Sequence, residues 1–188
     1  GHEQRVANAI AAHLDQLEIP HRSDRLGNLI ATIPGDPALP SVMVFTHMDQ
    51  LGFIVRKVEA NGLIRLERLG GVPERALPAQ AVTLCTDRGD LSGLIANKSH
   101  HATTPEEKYK VLPYADLYVD AGFTSADEAR AAGVTVGTPV PYLPRVLPLA
   151  GTRIAGTSVD DRAGCAVLLA LAAARKDRQG PTLHLVWS

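Results

Sequence analysis

The stretch SVMVFTHMD, residues 41–49, joins an apolar run to two polar side chains that can bind a metal. Its apolar part, Val42–Phe45, predicts a β-strand that is buried on both faces, as in a parallel sheet covered by helices. His47 and Asp49 follow where the strand ends, which is the edge at which open α/β sheets bind ligands. Because they are two residues apart on an extended backbone, both side chains point to the same side. They predict either a metal ligand with a supporting carboxylate or an ordinary solvated strand end.

Length and composition restrict the class of protein. The chain has 188 residues, of which 45% are hydrophobic and 21% are charged, so it can build a core and is not a disordered segment. Its formal net charge is −1 and it has no dense run of Lys and Arg, so we expect no nucleic-acid partner. We also expect no membrane partner, because no apolar run has the length of a bilayer span and the chain does not begin with a signal-peptide pattern.

The two cysteines indicate the compartment. Cys85 and Cys165 lie far apart in the sequence, each among apolar residues. We interpret both as buried free thiols in a reducing cytoplasm, with a single disulfide as the alternative.

The periodicity of apolar residues predicts an α/β pattern that a β-rich block interrupts. Helices are predicted at residues 3–17, after the capping residue Ser125, and at 161–175, and strands at 29–33, 42–45, 53–58, 63–66, 81–85, 91–95 and 182–187. The short strands and Gly-rich turns of the middle block are typical of a small β-barrel or sandwich. The predicted organisation is therefore a first part of one domain at 1–50, an inserted β-rich domain at 51–144 and the second part of the first domain at 145–188.

A second stretch with chemical potential is GTSVDDRAG, residues 156–164. Asp160 and Asp161 stand directly before a predicted helix, where carboxylates commonly cap free N–H groups and interact favourably with the helix dipole. Together with His47, however, they suggest a site in which a carboxylate bridges two divalent cations. Both interpretations are open on the residues alone.

Residues 46–53 and 158–164 together resemble the tetrahedral (TET) aminopeptidases, a family of dinuclear metallopeptidases. Segments 93–95, 100–101, 105–108 and 116–120 resemble the inserted domain of the same family, so the similarity covers nearly the whole chain.

This resemblance implies a mixed-sheet α/β metallopeptidase domain with an inserted small β-barrel that serves dimerisation. It also implies two divalent metal ions, with zinc expected and cobalt or manganese as alternatives. His47 would bind one metal, Asp160 would bridge the two, and Asp49 would be a catalytic-site residue that orients His47. The peptide bond between Asp160 and Asp161 would be cis. The expected partners are peptide substrates and further copies of the chain, in dimers and a tetrahedral dodecamer.

The chain also departs from the family pattern. Many relatives carry Glu where Gln50 stands and Asn where Asp161 stands, and neither position is a presumed ligand. A pair of glutamates, which supply the general base and a metal ligand, and a later Asp and His ligand do not occur in these residues. We therefore expect the chain to be most of the N-terminal half of a longer aminopeptidase, inactive alone. The alternative function is a non-catalytic assembly protein that keeps the fold.

Overall fold

The computed structural model describes residues 2–188, which are arranged in two compact units. Unit 1 consists of Gly1–Gln50 and Ser158–Ser188, and unit 2 is the continuous segment Leu51–Thr157. In chain order, the elements are α1 (Gln4–Gln16), β1 (His21–Ser23), β2 (Leu29–Ile33), β3 (Val42–Thr46), β4 (Gly52–Val58), β5 (Ile64–Leu69), β6 (Ala81–Thr86), β7 (Gly89–Ala96), β8 (Tyr118–Asp120), α2 (Ala126–Ala131), β9 (Pro139–Pro141), β10 (Val146–Pro148), β11 (Ile154–Gly156), α3 (Val159–Arg175) and β12 (Leu183–Trp187). Single 3-10 turns lie at Glu74–Ala76, His100–Ala102 and Tyr114–Asp116.

Unit 1 is a mixed four-stranded sheet with two helices. The strand order is β1-β2-β12-β3, in which β12 runs antiparallel to β2 and parallel to β3. Helices α1 and α3 pack against the sheet and against each other. The apolar stripe of α1 enters this core through Ala7, Ile10 and Leu14, because residues three and four apart share one face of a helix. The core side of the sheet includes Leu185 and Trp187, both fully buried.

The prediction that residues 42–45 form a strand is confirmed, but the prediction that this strand is buried on both faces is wrong. Val44 packs against the core, whereas Met43 and Phe45, which point to the other face, are 63% and 74% exposed. The reason is topological. β3 is one of the two outer strands of its sheet, and α3 covers only one of its faces among the residues that the structure describes.

Unit 2 is built around a six-stranded antiparallel sheet with the order β6-β7-β8-β5-β4-β9. Tyr142, just after β9, forms a bridge with Val82 of β6, and the Leu143 amide donates to the Ala81 carbonyl at 2.9 Å. The two outer strands of the sheet are thereby joined, so the sheet is nearly closed around its own core. The fold is thus mixed α/β, as predicted. The role of this unit in dimerisation stays a prediction.

The expected boundary at residues 144 and 145 requires correction. Residues 145–157 belong to unit 2, because β10 and β11 pair with each other as an antiparallel hairpin. Arg145 and Thr157 close the hairpin: the Arg145 amide donates to Thr157 Oγ1 at 3.2 Å, and the Thr157 amide donates to the Arg145 carbonyl at 3.1 Å. A hairpin that is closed at its base is one segment, so a boundary at residues 144 and 145 would not separate the two units where the chain passes between them; that boundary lies between Thr157 and Ser158.

Three further features bear on the predictions. Ser125 Oγ accepts from the Glu128 amide at 3.2 Å, which confirms the predicted cap of α2. Among residues 2–188 neither cysteine forms a disulfide; Cys165 is buried as predicted, whereas Cys85 is partly exposed, which corrects the prediction that it is buried. Among residues 2–188, no helix combines the length and the apolar character needed to cross a bilayer.

Candidate metal centre

The segment after β3 is held in an extended conformation by the end of β12. The Ser188 amide donates to the Thr46 carbonyl at 2.9 Å, and the Met48 amide donates to the Ser188 carbonyl at 2.6 Å. These bonds continue the parallel pairing beyond the strand and bury Met48. His47 and Asp49, on either side of Met48, therefore project together away from the core, as the two-residue spacing predicts.

The structure brings the three predicted site residues into contact. His47 Nδ1 lies 2.8 Å from Asp49 Oδ1, and His47 Nε2 lies 3.0 Å from Asp160 Oδ1. Each ring nitrogen thus faces one carboxylate. Asp160 is 113 residues away in sequence and comes from the beginning of α3. Its side chain is 94% exposed, whereas that of His47 is 47% exposed, so the pair opens to solvent.

The charge around the imidazole favours its protonated form in the metal-free protein. Desolvation lowers the pKa of His47, but hydrogen bonds to Asp160 and Asp49 and the charges of the same carboxylates raise it by more. The net pKa therefore lies above the ordinary value of a histidine. A site that attracts a proton between two carboxylates has the negative potential that a divalent cation requires.

The peptide bond between Asp160 and Asp161 is cis, as the resemblance to the TET aminopeptidases implied. Both residues have non-helical backbone angles, so the regular part of α3 begins only after Asp161. This corrects the prediction that the helix begins at that residue. Asp160 consequently lies in the irregular first part of α3, before its regular turns.

Asp161 anchors the beginning of α3 to the end of β3. Thr46 Oγ1 donates to Asp161 Oδ2, and the Gly164 amide donates to Asp161 Oδ1 at 2.9 Å. The hydrogen bond from Thr46 is the main reason that the pKa of Asp161 lies below the ordinary carboxyl value, and the bond from Gly164 adds to it. The role of Thr46 could not be predicted from the sequence, because a contact across 115 residues leaves no local pattern.

A second contact joins the same two segments. Ser158 Oγ donates to Gln50 Oε1. Ser158 has a left-handed backbone, with φ 62°, which is unfavourable for a residue with a side chain. Its hydroxyl is used by Gln50 and forms no capping bond to α3.

The nearby Cys165 is buried and packs against the segment that carries His47. Cys165 Sγ lies 3.4 Å from the His47 carbonyl oxygen, to which the thiol can donate. Burial raises the pKa of this thiol above its ordinary value, which outweighs the opposing hydrogen bond from Thr46. A thiol that stays protonated is a weak nucleophile, so Cys165 is a packing residue.

The other histidines that we considered lie elsewhere. His184 Nδ1 is 3.2 Å from Thr32 Oγ1, in a hydrogen bond within the sheet of unit 1. His100 and His101 are exposed residues of unit 2. None of these three histidines is therefore a candidate ligand beside His47.

The side chains around His47 are of the types that bind a divalent metal, but the described residues supply too few of them to complete its coordination. An imidazole nitrogen faces a carboxylate oxygen, and the second ring nitrogen is held by another carboxylate, which is the usual support of a metal-binding histidine. Within residues 2–188, no three His, Cys, Asp or Glu side chains are grouped so that they could hold a metal ion. The described residues thus offer two ligands, His47 and Asp160.

Comparison with known families identifies the class of protein. Residues 27–188 match the family model of the M42 glutamyl aminopeptidases. The chain belongs to this family. The M42 family peptidases are metallopeptidases, and the donor set described above agrees in kind with that class.

Individual relatives of the M42 family show how much of the protein the match covers. The putative aminopeptidase SgcX from Escherichia coli (strain K12) is 38% identical over 174 residues, which are 92% of this chain and 46% of SgcX. The aminopeptidase APDkam598 from the archaeon Desulfurococcus kamchatkensis superposes with a TM-score of 0.90 at 28% identity, over 100% of this chain and 51% of that protein. PhTET1-12s, whose crystal contains a dodecamer, superposes with a TM-score of 0.88 at 25% identity, over 100% of this chain and 55% of its own. The chain spans about half the length of the relatives it matches.

Proposed function

We propose that the protein is a metal-dependent aminopeptidase that removes N-terminal residues from peptides with two divalent metal ions. Zinc is the expected metal, with cobalt or manganese as alternatives, and the cytoplasm is the proposed location. The observation that carries the proposal is the arrangement of His47 between Asp49 and Asp160, at 2.8 and 3.0 Å. Membership of the M42 family supports the choice of reaction.

Each residue of this arrangement has a proposed role. Asp49 accepts the Nδ1 proton of His47, which fixes the ring orientation and leaves the Nε2 lone pair for a metal. Asp160 would place one oxygen beside that position and, because its side chain is exposed, keep the other oxygen available for a second metal. Paired divalent metals polarise a peptide carbonyl and bring the pKa of a bound water towards neutrality.

Two ligands do not complete such a centre. A catalytic zinc usually has three protein ligands and an open position, and the described residues provide His47 and Asp160 only. Because the relatives are about twice as long as this chain, we propose that sequence outside these 188 residues supplies the other ligands and a carboxylate general base. The 188-residue chain alone would then bind metal weakly and lack peptidase activity.

We also infer that the protein associates with itself, through dimers into a tetrahedral dodecamer. The dodecamer in the crystal of PhTET1-12s supports this inference. Apolar side chains on the surface of unit 2, including Val136 at 73% and Tyr109 at 94% exposure, are of the kind that subunit contacts cover. Light scattering that found only monomers of the complete protein at high concentration would contradict it.

The test of the peptidase proposal uses the complete protein and aminoacyl-p-nitroanilides. A chelator should remove activity, and zinc, cobalt or manganese should restore it. His47→Ala should abolish activity, whereas His13→Ala, on the exposed side of α1, should not change it. Substantial turnover by the metal-free protein would contradict the proposal. If the metal-loaded protein is folded and hydrolyses no peptide substrate, the non-catalytic assembly function takes its place.

A further inference from the structure

We propose that Thr46 and Asp161 are positioning residues of the metal centre, which set the separation between the two ligands. This inference rests on the proposed function, because it concerns how His47 and Asp160 are held. Thr46 directly precedes His47, and Asp161 directly follows Asp160. The hydrogen bond between Thr46 and Asp161 therefore joins the two ligand-bearing segments one residue away from each ligand.

Each oxygen of the Asp161 carboxylate accepts a hydrogen bond. Oδ2 accepts from the Thr46 hydroxyl and Oδ1 accepts from the Gly164 amide at 2.9 Å. The absence of a side chain at Gly164 makes this arrangement possible, because a Cβ there would lie 2.6 Å from Thr46 Oγ1 and as close to the Asp161 carboxylate. Thr46 of β3 and Gly164 of α3 are thus packed around one carboxylate.

Thr46 is also fixed on its backbone side. It is 5% exposed, and its carbonyl accepts from the Ser188 amide at 2.9 Å, so it cannot move without breaking the sheet. A hydrogen bond that is shielded from water is electrostatically stronger than an exposed one. The sheet therefore fixes Thr46, Thr46 fixes Asp161, and Asp161 fixes the position at which Asp160 meets the His47 ring.

The variants separate hydrogen bonding from shape. Thr46→Val keeps the shape of the side chain and removes the hydroxyl, and Asp161→Ala removes both acceptors. Thr46→Ser keeps the hydroxyl. Asp161→Asn can still accept from Gly164, while its amide donates to Thr46 Oγ1 and the Thr46 proton turns to the Asp161 carbonyl, 3.4 Å away. Thr32→Val, on β2, is the matched control for losing a threonine hydroxyl elsewhere in the same sheet.

The experiment measures Co²⁺ binding by the ¹⁵N-labelled 188-residue chain, without any substrate. Pseudocontact shifts locate the ion, and a titration gives its Kd even when binding is weak. Thr46→Val and Asp161→Ala should raise the Kd about tenfold or more, the size found when groups that support metal ligands are removed. Thr46→Ser, Asp161→Asn and Thr32→Val should bind like the wild type. The thermal midpoint of each metal-free variant shows whether it is folded.

His47→Ala distinguishes failure of this inference from failure of the proposed function. If the wild type binds Co²⁺ at His47, and Thr46→Val and Asp161→Ala bind it equally well, the positioning role is wrong and the metal centre stands. If His47→Ala binds as the wild type does, the metal centre is wrong. The positioning role is then decided by the metal-free crystal structure of Thr46→Val: a His47–Asp160 contact kept at 3.0 Å overturns it, and a broken contact supports it. If Thr46→Val does not fold, Gly164→Ala, which crowds the same carboxylate, replaces it and should also weaken binding.

Discussion

The two units differ in how their sheets end. The sheet of unit 2 is nearly closed, since the segment after β9 is bonded to β6, and its core residues such as Val55 and Leu84 are fully buried. The sheet of unit 1 ends at β3, which leaves Met43 and Phe45 exposed. The candidate ligands lie in unit 1, immediately beyond that strand. The unit with the nearly closed sheet thus carries no candidate ligand, and the unit with the open edge carries both.

The comparison shows that the candidate site and the nearly closed sheet lie in different units of the molecule. A nearly closed sheet has few unpaired backbone groups and can be stable without offering a site. An outer strand whose end projects polar side chains into solvent can present ligands, but it contributes less to the core. We expect substitutions in the two units to act differently, and three of them test this.

Trp187→Ala should have the largest effect, and it should be confined to unit 1. Trp187 is fully buried, and its indole Nε1 donates to the Cys165 carbonyl at 3.3 Å. Loss of a buried tryptophan costs about 3–5 kcal/mol, a large part of the 5–15 kcal/mol that is typical of a whole domain. Amide resonances of unit 1 should lose their dispersion at a lower temperature than in the wild type, whereas those of unit 2 should not. Loss of both sets together would show that the two units unfold as one.

The core of unit 1 around Trp187 was largely predictable from sequence. The helical stripe of α1 and the strands at residues 29–33 and 182–187 follow from local periodicity, which is strong in long amphipathic segments. The candidate site was also predictable in part, since the contact of His47 with Asp49 follows from extended geometry. The assignment of Asp160 to the same site came from the resemblance to a family and not from spacing.

What could not be predicted depends on contacts between distant residues. An apolar run such as Val42–Phe45 predicts a strand, but its place at the edge of the sheet is decided by the pairing of β12 with β2 and β3. The hydrogen bond of Thr46 to Asp161 likewise spans 115 residues. Periodicity is a local property and contains no information on either.

Gly93→Ala should have the second largest effect, and it tests how tightly unit 2 is packed. A Cβ at Gly93 would lie 2.6 Å from Val119 Cγ1 and 3.0 Å from Leu84 Cδ1, both inside the core. Overpacking of this kind costs about 1–3 kcal/mol. The free energy of unfolding from urea titration measures it, with Gly71→Ala as the control, because nothing lies within 4 Å of a Cβ at Gly71. An unchanged free energy for Gly93→Ala would mean that the sheet is looser than its contacts indicate.

Phe45→Ser should have the smallest effect on stability and a clear effect on solubility. Phe45 is 74% exposed, so its removal should change the free energy of unfolding by less than about 0.5 kcal/mol. The same ring lies on an outer strand with Val42 and Met43, in an apolar segment of high β-propensity at an open sheet edge, which is a typical start of aggregation. We therefore expect the protein concentration at which aggregation begins to rise.

The control for this last prediction is Leu26→Ser, which removes an apolar side chain of 90% exposure from a turn and not from a strand. If exposed apolar area alone caused aggregation, the two substitutions would improve solubility alike, because both remove a large exposed side chain. If the open edge of β3 is the cause, only Phe45→Ser should raise the aggregation threshold, since only that residue lies where another strand can pair. Dynamic light scattering across a concentration series decides between them. An equal gain from Leu26→Ser would remove the distinction drawn here between an open edge and a merely apolar surface.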